Sequence, residues 1–252
     1  MPVLLAGGCR VASLREGEPA VYGSLRIWSH FGRGSGADAI SLRTLEVGPG
    51  ASPDLCNPGC DEVLYVLHGQ GVVSLDGRVE RVSADTAFYL RPGVRLSLDN
   101  WGPGPLLLAS SRCPDPGADG IVAAAESAPL LPSTHPRPFV RLKDVAAETT
   151  ADRWYRVLID DKLGSSQVTQ FVGAIPPGRA PDHSHHYEEV LCILAGRGRM
   201  WADSTSTLIE PGSCIYLPRG QIHCVENTGD AELSLLGVFY PAGSPAVRYE
   251  TG

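Results

Sequence analysis

Short apolar runs recur along the chain, and each run is closed by Gly, Pro, Asn or Asp. Short runs with this spacing are typical of the strands of an all-β sandwich or barrel. The pattern predicts strands at residues 40–47, 62–67, 71–75, 86–90, 106–110, 167–175, 189–194, 199–202, 213–217 and 233–240. Helical periodicity is nearly absent, and only residues 142–148 are expected to supply a helical turn or two.

The later strands repeat the earlier ones at an offset of 127 residues without a gap. The matched pairs are Glu62 with Glu189, Gly69 with Gly196, Gly71 with Gly198, Asp76 with Asp203, Tyr89 with Tyr216, Leu90 with Leu217, Gly93 with Gly220, Asn100 with Asn227 and Gly102 with Gly229. A common register for so many pairs predicts two copies of one β-barrel unit. Prolines between the copies favour an extended linker at about 112–140, so we expect domains at 1–125 and 126–252.

The composition is that of a globular protein rich in turns. Gly and Pro supply 29 and 21 of the 252 residues, 43% of residues are hydrophobic, and no apolar run is long enough to span a membrane. The formal net charge is −7 and lysine and arginine do not cluster, which argues against a nucleic-acid surface. We therefore expect a small-molecule partner, with no membrane and no nucleic acid involved.

Cysteine usage and the N-terminus indicate the compartment. The first residues lack both the basic segment and the apolar stretch of a signal peptide, so a cytoplasmic location is expected. The seven cysteines form no CxxC pair, and several lie inside apolar runs. This usage is typical of reduced, mostly buried thiols.

Four of the seven histidines lie between residues 183 and 223. His183 and His185 are two positions apart and would share one face of a strand. Glu189 has the same parity and opens the next predicted strand, whereas His223 follows a Pro-Arg-Gly turn. Three neutral imidazoles and one carboxylate form a donor set for divalent Fe, Mn, Cu, Ni or Zn. We therefore predict that these four side chains bind one metal ion.

The spacing of these residues resembles the two motifs of the cupin superfamily. The first motif, HxH, three residues, Glu, six residues, Gly, runs here from His183 to Gly196. The second motif, Gly, five residues, Pro-x-Gly, two residues, His, three residues, Asn, runs from Gly212 to Asn227. The resemblance covers roughly residues 40–110 and 165–240. It implies a bicupin, which has two double-stranded β-helix (jelly-roll) barrels in one chain.

Most of the metal motif has no equivalent in the first half. At the 127-residue offset the pairs are His183 with Cys56, His185 with Pro58, His223 with Leu96 and Glu189 with Glu62. Cys56, Cys60 and Glu62 are three donors beside a proline and a glycine, and they make a poor cage for zinc. We expect a structural first barrel without metal.

Among bicupins, the layout is similar to that of the (S)-ureidoglycine aminohydrolase family, in which a metal-free barrel precedes a metal-binding one. That family carries Glu-x-His-x3-His and a distal Gln, so its ligand set differs from the one here. The positions that make polar contacts with the substrate in that family correspond to Met200, Leu235 and Phe239 in this chain. Strand parity indicates a largely apolar cavity. The predicted substrate contacts are Gln170, Tyr187, Met200, Trp201, Leu235 and Phe239.

The resemblance also bears on assembly. Bicupins commonly pair their two barrels through N-terminal strands of the opposite half. Residues 20–31 are apolar and aromatic and lie outside both motifs, so we predict that they make this exchange, in a monomer or a homodimer.

Three functions remain open at this point. The resemblance to quercetinase-like cupin dioxygenases implies an oxidoreductase that uses Fe(II), or Mn, Ni, Cu or Zn, on a small, partly apolar substrate. In such an enzyme Glu189 would also act as the catalytic base. The alternatives are a redox-neutral metalloenzyme (isomerase, lyase, decarboxylase or aminohydrolase-like), and a non-catalytic binding protein similar to pirin-type bicupins.

Overall fold

Strands make up nearly all of the regular structure in this computed structural model, which describes residues 2–123, 138–150 and 152–246. The strands before residue 124 are β1 (Val3–Leu4), β2 (Arg10–Ser13), β3 (Ala20–Tyr22), β4 (Leu25–Phe31), β5 (Ser41–Val47), β6 (Gly50–Ala51), β7 (Asp54–Cys56), β8 (Asp61–His68), β9 (Gln70–Leu75), β10 (Arg78–Ser83), β11 (Thr86–Leu90), β12 (Arg95–Asn100), β13 (Leu106–Cys113) and β14 (Ile121–Val122). The later strands are β15 (Phe139–Arg141), β16 (Glu148–Thr150), β17 (Arg153–Ile159), β18 (Thr169–Ile175), β19 (Gly178–Arg179), β20 (Glu188–Ala195), β21 (Gly198–Ala202), β22 (Thr205–Ile209), β23 (Ser213–Leu217), β24 (His223–Asn227) and β25 (Leu233–Tyr240). Short 3-10 helices span Ala6–Gly8, Arg33–Ser35, Leu142–Asp144 and Asp161–Leu163.

The strands form two barrels, each made of two facing sheets. In the first barrel, a seven-stranded sheet in the order β15-β11-β8-β13-β5-β4-β3 faces a sheet in the order β10-β9-β12-β7-β14, with β6 on β12. In the second, an eight-stranded sheet β1-β2-β23-β20-β25-β18-β17-β16 faces a four-stranded sheet β19-β24-β21-β22. The prediction of an all-β chain with two jelly-roll barrels is confirmed.

Each barrel has an apolar interior, and a third apolar cluster lies between the barrels. On β8, Leu64 points into the first barrel while its neighbour Tyr65 packs in the cluster between the barrels. On β20, Leu191 points into the second barrel, and its neighbour Cys192 packs in the cluster between the barrels. Both faces of these central strands are buried, which explains their almost continuous apolar sequence. The two barrels therefore pack against each other through their large sheets.

Residues that are paired by the 127-residue offset make the same hydrogen bonds and turns in both barrels. The amide groups of Asn100 and Asn227 each donate to two backbone oxygens at 2.8 or 2.9 Å, and each Oδ1 accepts from the N–H two residues later. Asp76 and Asp203 both have a φ of 48°, as tight hairpin turns require. These roles confirm the predicted internal repeat.

The repeat is nevertheless displaced by one residue in the strand that carries the first ligand. Leu96 pairs with Leu55 in the first barrel, and His223 pairs with His183 in the second. Residues 183 and 55 are 128 apart rather than 127. The counterpart of His183 is therefore Leu55, and the ungapped pairing with Cys56 is wrong. A slip of one residue reverses the face of a strand on which a side chain lies.

Strands β1 and β2 of the first half, and β15 of the second half, join the large sheet of the other half. Strand β2 pairs with β23, and β15 pairs with β11. An exchange is therefore present, but the prediction that residues 20–31 make it is wrong. Strands β3 and β4 pair with each other and with β5, because β4 buries Leu25 and Ile27 inside its own barrel.

The remaining predictions about organisation have mixed outcomes. The helical turns expected at 142–148 are reduced to the 3-10 helix Leu142–Asp144, followed by β16. The boundary at 125/126 and residues 124–137 of the predicted linker lie outside the described residues.

All seven cysteines are free, and all but Cys56 are buried. Within the described ranges, no helix has the length and apolar character needed to cross a membrane.

Candidate metal centre

Backbone pairing in the second barrel brings the predicted histidine ligands together. His183, between β19 and β20, exchanges two backbone hydrogen bonds of 3.0 and 2.9 Å with His223 at the start of β24. The backbone oxygen of His185 accepts from the N–H of Gly220 at 2.7 Å. The Pro-x-Gly turn before His223 therefore holds the histidine loop in place.

The three imidazole rings converge on one point. One nitrogen from each of His183, His185 and His223 lies within 4.8 Å of the other two. The Nδ1 atoms of His183 and His223 are 3.1 and 2.8 Å from the backbone oxygens of Pro181 and Gln221. A carbonyl accepts from Nδ1–H, so these contacts make Nε2 the ligand atom of both rings.

Glu189 lies beside the histidines, outside the set of mutually close nitrogens. Its Oε2 is 3.5 Å from Nε2 of His185, and its side chain is 6% exposed. Without a bound cation, burial raises the pKa of Glu189 to about 8. Burial also lowers the pKa of His185 to about 3 and that of His223 to about 4, and it lowers the pKa of His183. Burial thus disfavours the charged form of Glu189 and of each of the three histidines.

An aromatic stack supports the ring of His185. Tyr187 lies parallel to it, with ring centroids 4.6 Å apart and an interplanar angle of 9°, and Phe239 lies on the other side of Tyr187 at 4.3 Å and 19°. Parallel aromatic contacts of this kind contribute about 0.5–1.5 kcal/mol each beyond their buried area. Burial raises the pKa of the Tyr187 hydroxyl well above its usual range, so the phenol stays protonated.

The ligands form one wall of a cavity of about 90 Å³ inside the second barrel. Its other walls are mainly apolar or aromatic and include Tyr155, Phe171, Ile175, Leu191, Val225 and Leu235. Gly237 makes room for this lining, because a Cβ there would overlap the ring of Phe171. Apolar walls with a few polar groups are typical of a small-molecule site.

The predicted substrate contacts lie in several environments. Tyr187 and Leu235 line the cavity. Met200 and Phe239 are buried in the same barrel interior but lie outside the cavity lining, Phe239 because it is behind Tyr187. Trp201 packs against the Arg179 guanidinium on the small sheet, 4.4 Å from ring centroid to Cζ, and its indole donates to Glu226. The geometry therefore does not bring these three residues to the metal ligands.

Gln170 is also placed away from the cavity. It precedes Phe171 on β18 and so faces the opposite side of the sheet, toward the cluster between the barrels that contains its pairing partner Val238. Its side chain is buried, and its Oε1 has no hydrogen-bond partner among the described residues. The sequence pattern alone did not assign the face of this residue.

Sequence reasoning missed one charged residue of the cavity, Arg153. It begins β17, a strand that the apolar pattern did not predict, and it belongs to no motif. Its charge acts on His183, whose pKa is lowered first by burial and also by this guanidinium. Only the structure shows that the β16–β17 hairpin reaches the site.

In the first barrel, an ion pair occupies the place of the metal ligands. Glu62, the counterpart of Glu189, accepts from Arg43 Nη2 at 2.8 Å, from Ser110 Oγ at 2.6 Å and from Asn57 Nδ2 at 2.8 Å. Burial works to raise the pKa of Glu62, but the charges of Arg43 and Arg112 and the hydrogen bonds from Ser110 and Arg43 hold it below its ordinary value. The guanidinium thus supplies the positive charge that a buried carboxylate needs.

The same one-residue shift changes the other predicted pairings in this barrel. Asn57, rather than Pro58, corresponds to His185, and Leu55 and Leu96 fill the remaining ligand positions with buried apolar side chains. Within the described part of the chain, the three histidines are the only group of potential ligands close enough to share a metal ion. Cys56, Cys60 and Glu62 are not such a group.

The second barrel fits a divalent transition metal. Three neutral imidazoles and a carboxylate match the ligands such ions prefer, and backbone carbonyls orient two of the rings, as is common around metal-bound histidines. The raised pKa of Glu189 indicates that this carboxylate lacks the cationic partner that Glu62 has in Arg43. A bound cation would provide it.

Comparisons with known proteins identify the type of chain. The family model described as the cupin domain matches residues 41–110 and 171–239. The uncharacterized protein MJ1618 from Methanocaldococcus jannaschii is 38% identical over 60 residues, which cover 23% of this chain and 48% of that protein. The matched region is therefore about half the length of this curated relative.

Two solved structures of similar architecture extend over most of the chain. A variant of Bacillus subtilis oxalate decarboxylase has a TM-score of 0.72 at 15% identity, covering 92% of this chain and 77% of that one. The protein Ylba from E. coli has a TM-score of 0.75 at 11% identity, covering 98% and 96%. At these identities the likeness shows the fold.

Proposed function

The chain belongs to the cupin family, and from this premise we propose that it is a metal-dependent bicupin enzyme whose second barrel holds one divalent metal ion. The observation that carries the proposal is the convergence of three imidazoles beside Glu189 in a cavity with apolar walls. Sites whose protein ligands leave coordination positions open are typical of catalysis. The first barrel, with its ion pair of Arg43 and Glu62, has a structural role.

When bound, the metal would supply Lewis acidity or redox chemistry at its open positions. The residues of the chain bind and orient it, through rings that burial keeps neutral. Oε2 of Glu189 is the basic atom beside the histidine cluster, and we assign it the role of accepting a proton from the substrate. Phe171 and Leu191 exclude bulk water from the reacting atoms.

For the reaction itself we propose a dioxygenase that acts on a small, partly apolar organic molecule, with Fe(II) as the preferred metal. The apolar walls support this proposal because reactive oxygen chemistry requires the exclusion of water. The carboxylate of Glu189 supports it as well, since removal of a proton prepares an enolisable or phenolic substrate for oxidation.

A redox-neutral reaction with Mn(II), such as decarboxylation, is the second candidate. It is favoured by the positively charged Arg153 in the cavity, which would stabilise a carboxylate. The fold likeness to Bacillus subtilis oxalate decarboxylase, a protein described as having Mn(II) centers, points in the same direction.

Metal content tests the premise of both candidates. Protein purified without a metal-affinity tag should contain one transition metal ion per chain by elemental analysis. His185→Ala and His223→Ala should each lose most of it, because each removes one of the three converging nitrogens. The control Cys56→Ala should retain the ion. Two ions per chain, or loss of metal in the control, would refute a single site in the second barrel.

Oxygen dependence separates the two reactions. Fe(II)-loaded protein is screened with small hydroxylated or enolisable compounds in an oxygen electrode, and active compounds are repeated in an anaerobic chamber. The dioxygenase predicts stoichiometric oxygen uptake, and Glu189→Ala should lose turnover more completely than metal. Undiminished turnover of Mn(II)-loaded protein without oxygen would support the second candidate. No turnover with any loaded metal would favour a binding protein.

A further inference from the structure

A fixed positive charge lies beside the metal ligands, at a residue outside the family motifs. Arg153 begins β17, where it pairs with Thr150, the last residue of β16. Both residues line the same cavity as His183. The side chain of Arg153 is only 13% exposed, so it is directed into the protein and not toward solvent.

Strand parity explains this orientation. Tyr155, two residues along β17, is part of the interior of the second barrel, and Arg153 shares its side of the strand. Arg156 has the opposite parity, and its guanidinium lies 5.5 Å from the ring centroid of Trp154. Of these two arginines on β17, Arg153 is the one that lines the cavity.

The hydrogen bonds of Arg153 leave most of its guanidinium available. Its Nε donates to the exposed Asp152 at 3.2 Å, and neither Nη atom donates to a described residue. In the first barrel, by contrast, the buried Arg43 uses all three nitrogens: Nε on Ser110, Nη1 on the backbone of Asp119 and Nη2 on Glu62. A sheltered guanidinium beside a cavity, whose two NH₂ groups donate to none of the residues that the structure describes, is suited to a ligand with a planar pair of oxygens.

The charges of the cavity agree with an anionic ligand. Arg153 is its one Lys or Arg side chain and Glu189 its one carboxylate among the described lining residues. A divalent ion, an ionised Glu189 and the guanidinium leave two net positive charges facing the cavity. Apart from the ligand histidines, the rest of the described lining is apolar or carries only the hydroxyl groups of Thr150, Tyr155 and Tyr187, so it offers no second charged side chain to a ligand.

We propose that Arg153 is the specificity-determining residue of the site, and that the substrate is a small monocarboxylate that is otherwise largely apolar. The two Nη groups bind the carboxylate oxygens side by side, and the rest of the molecule packs on Phe171 and Leu191. This inference rests on the proposed function of the same cavity and adds the class of its substrate.

Isobutyrate and isobutyramide test the proposal, because they share a shape and differ in charge. Both are titrated by calorimetry into Mn(II)-loaded protein and into protein stripped with a chelator. We expect isobutyrate to bind about tenfold more tightly than the amide, as a charge-assisted bidentate contact predicts. Faster Mn(II)-induced relaxation of the probe's methyl protons would place it in the cavity.

Arg153→Met should lower the affinity for isobutyrate about tenfold and leave the affinity for isobutyramide unchanged. The affinity of Arg153→Lys for isobutyrate should lie between those of the wild-type protein and the methionine variant, because lysine keeps the charge without the paired donors. The control Arg199→Met removes the same charge from β21, where Arg199 donates to Ser206 and lies outside the cavity. Manganese content and melting temperature are measured for each variant, and the lysine variant decides the test if the methionine variant does not fold.

The outcomes distinguish this inference from its premise. Wild-type affinity for isobutyrate in the Arg153 variants, or equal affinity of wild-type protein for the two probes, would overturn the role of Arg153. A protein that takes up no metal yet discriminates between the probes through Arg153 would refute the proposed enzyme and support the carboxylate site.

Discussion

At the residue scale, burial of titratable groups determines how the chelator-treated protein responds to pH. Burial lowers the pKa of His185 to about 3 and raises that of Glu189 to about 8, from ordinary values of 6.5 and 4.5. The unfolded chain binds more protons at the histidine below pH 6.5, so this group destabilises the protein as the pH falls. The folded chain binds more protons at Glu189 between its two pKa values, so that group destabilises the protein as the pH rises.

Ionisation of Glu189 should therefore lower the stability of chelator-treated protein by about 2 kcal/mol between pH 6.5 and pH 8, while the buried histidines, whose ordinary pKa is 6.5, each add a smaller term of opposite sign near pH 6.5. Glu189→Gln cannot ionise and keeps the histidines, so the difference between the wild-type protein and this variant isolates the contribution of Glu189. Urea unfolding of both proteins at several pH values measures that difference. An equal pH dependence of the two proteins would assign the effect to other groups.

The first barrel offers a second prediction at this scale. Glu62→Gln removes the charge partner of Arg43, whose side chain is fully buried. An uncompensated buried charge costs about 3–5 kcal/mol, and we expect a loss of this size in urea unfolding at neutral pH. Metal content per folded chain should stay at the wild-type level because Glu62 lies in the other barrel. The double variant Arg43→Met/Glu62→Leu should recover part of the loss; failure to do so would contradict the ion-pair explanation.

At the scale of elements, strand β2 links the first residues of the chain to the metal-binding barrel. Val11 is 7% exposed and packs inside the second barrel. We expect Val11→Asp to lower the melting temperature and the metal content, because it buries an unpaired carboxylate there. Val21→Asp, on the 60% exposed side chain of β3, is the matched control. Equal effects of the two variants in thermal unfolding would argue against the observed strand exchange.

The sequence predicted the elements that carry an apolar pattern and missed those that do not. Strands such as β8 and β20 are buried on both faces, so their sequence is unambiguous. Strand β10 (Arg78–Ser83) is mostly exposed, and β17 begins with an arginine, so neither shows the alternation expected of a strand. The prediction that residues 20–31 make the exchange is wrong because local sequence does not encode which N-terminal segment crosses to the other barrel.

The metal ligands were predicted because their chemistry depends on spacing along the chain. Spacing fixes His183, His185 and His223 relative to the turns around them, and the structure brings the three together. The contacts of the cavity depend instead on which face of a strand each side chain occupies. Gln170 faces the opposite side of its sheet, and Arg153 comes from a hairpin far away in sequence.

At the scale of the whole molecule, neither half is complete without the other. The reciprocal pairing of β2 with β23 and of β15 with β11 places a strand of each half in the other barrel, and an apolar cluster joins the large sheets. The choice between monomer and homodimer stays a prediction, to be measured by light scattering.

Residues 1–125 and 126–252, produced separately, should therefore aggregate. Each would expose its share of the cluster between the barrels and an unpaired sheet edge. Production of both pieces in one cell should restore soluble, metal-binding protein. Two well-behaved monomeric halves, as judged by size-exclusion chromatography, would contradict this intimate packing.

The exchange of strands also affects the order in which the two barrels can assemble during translation. Strand β2 leaves the ribosome long before β23, the strand with which it pairs. At about 5–20 residues per second, the roughly 200 residues between them take about 10–40 s to translate. During that interval the β2 segment has only the short strand β1 to pair with, while the strands of the first barrel are already available to one another. The metal-binding barrel is therefore closed by a segment made well before the rest of it, and it can assemble only when translation is nearly finished.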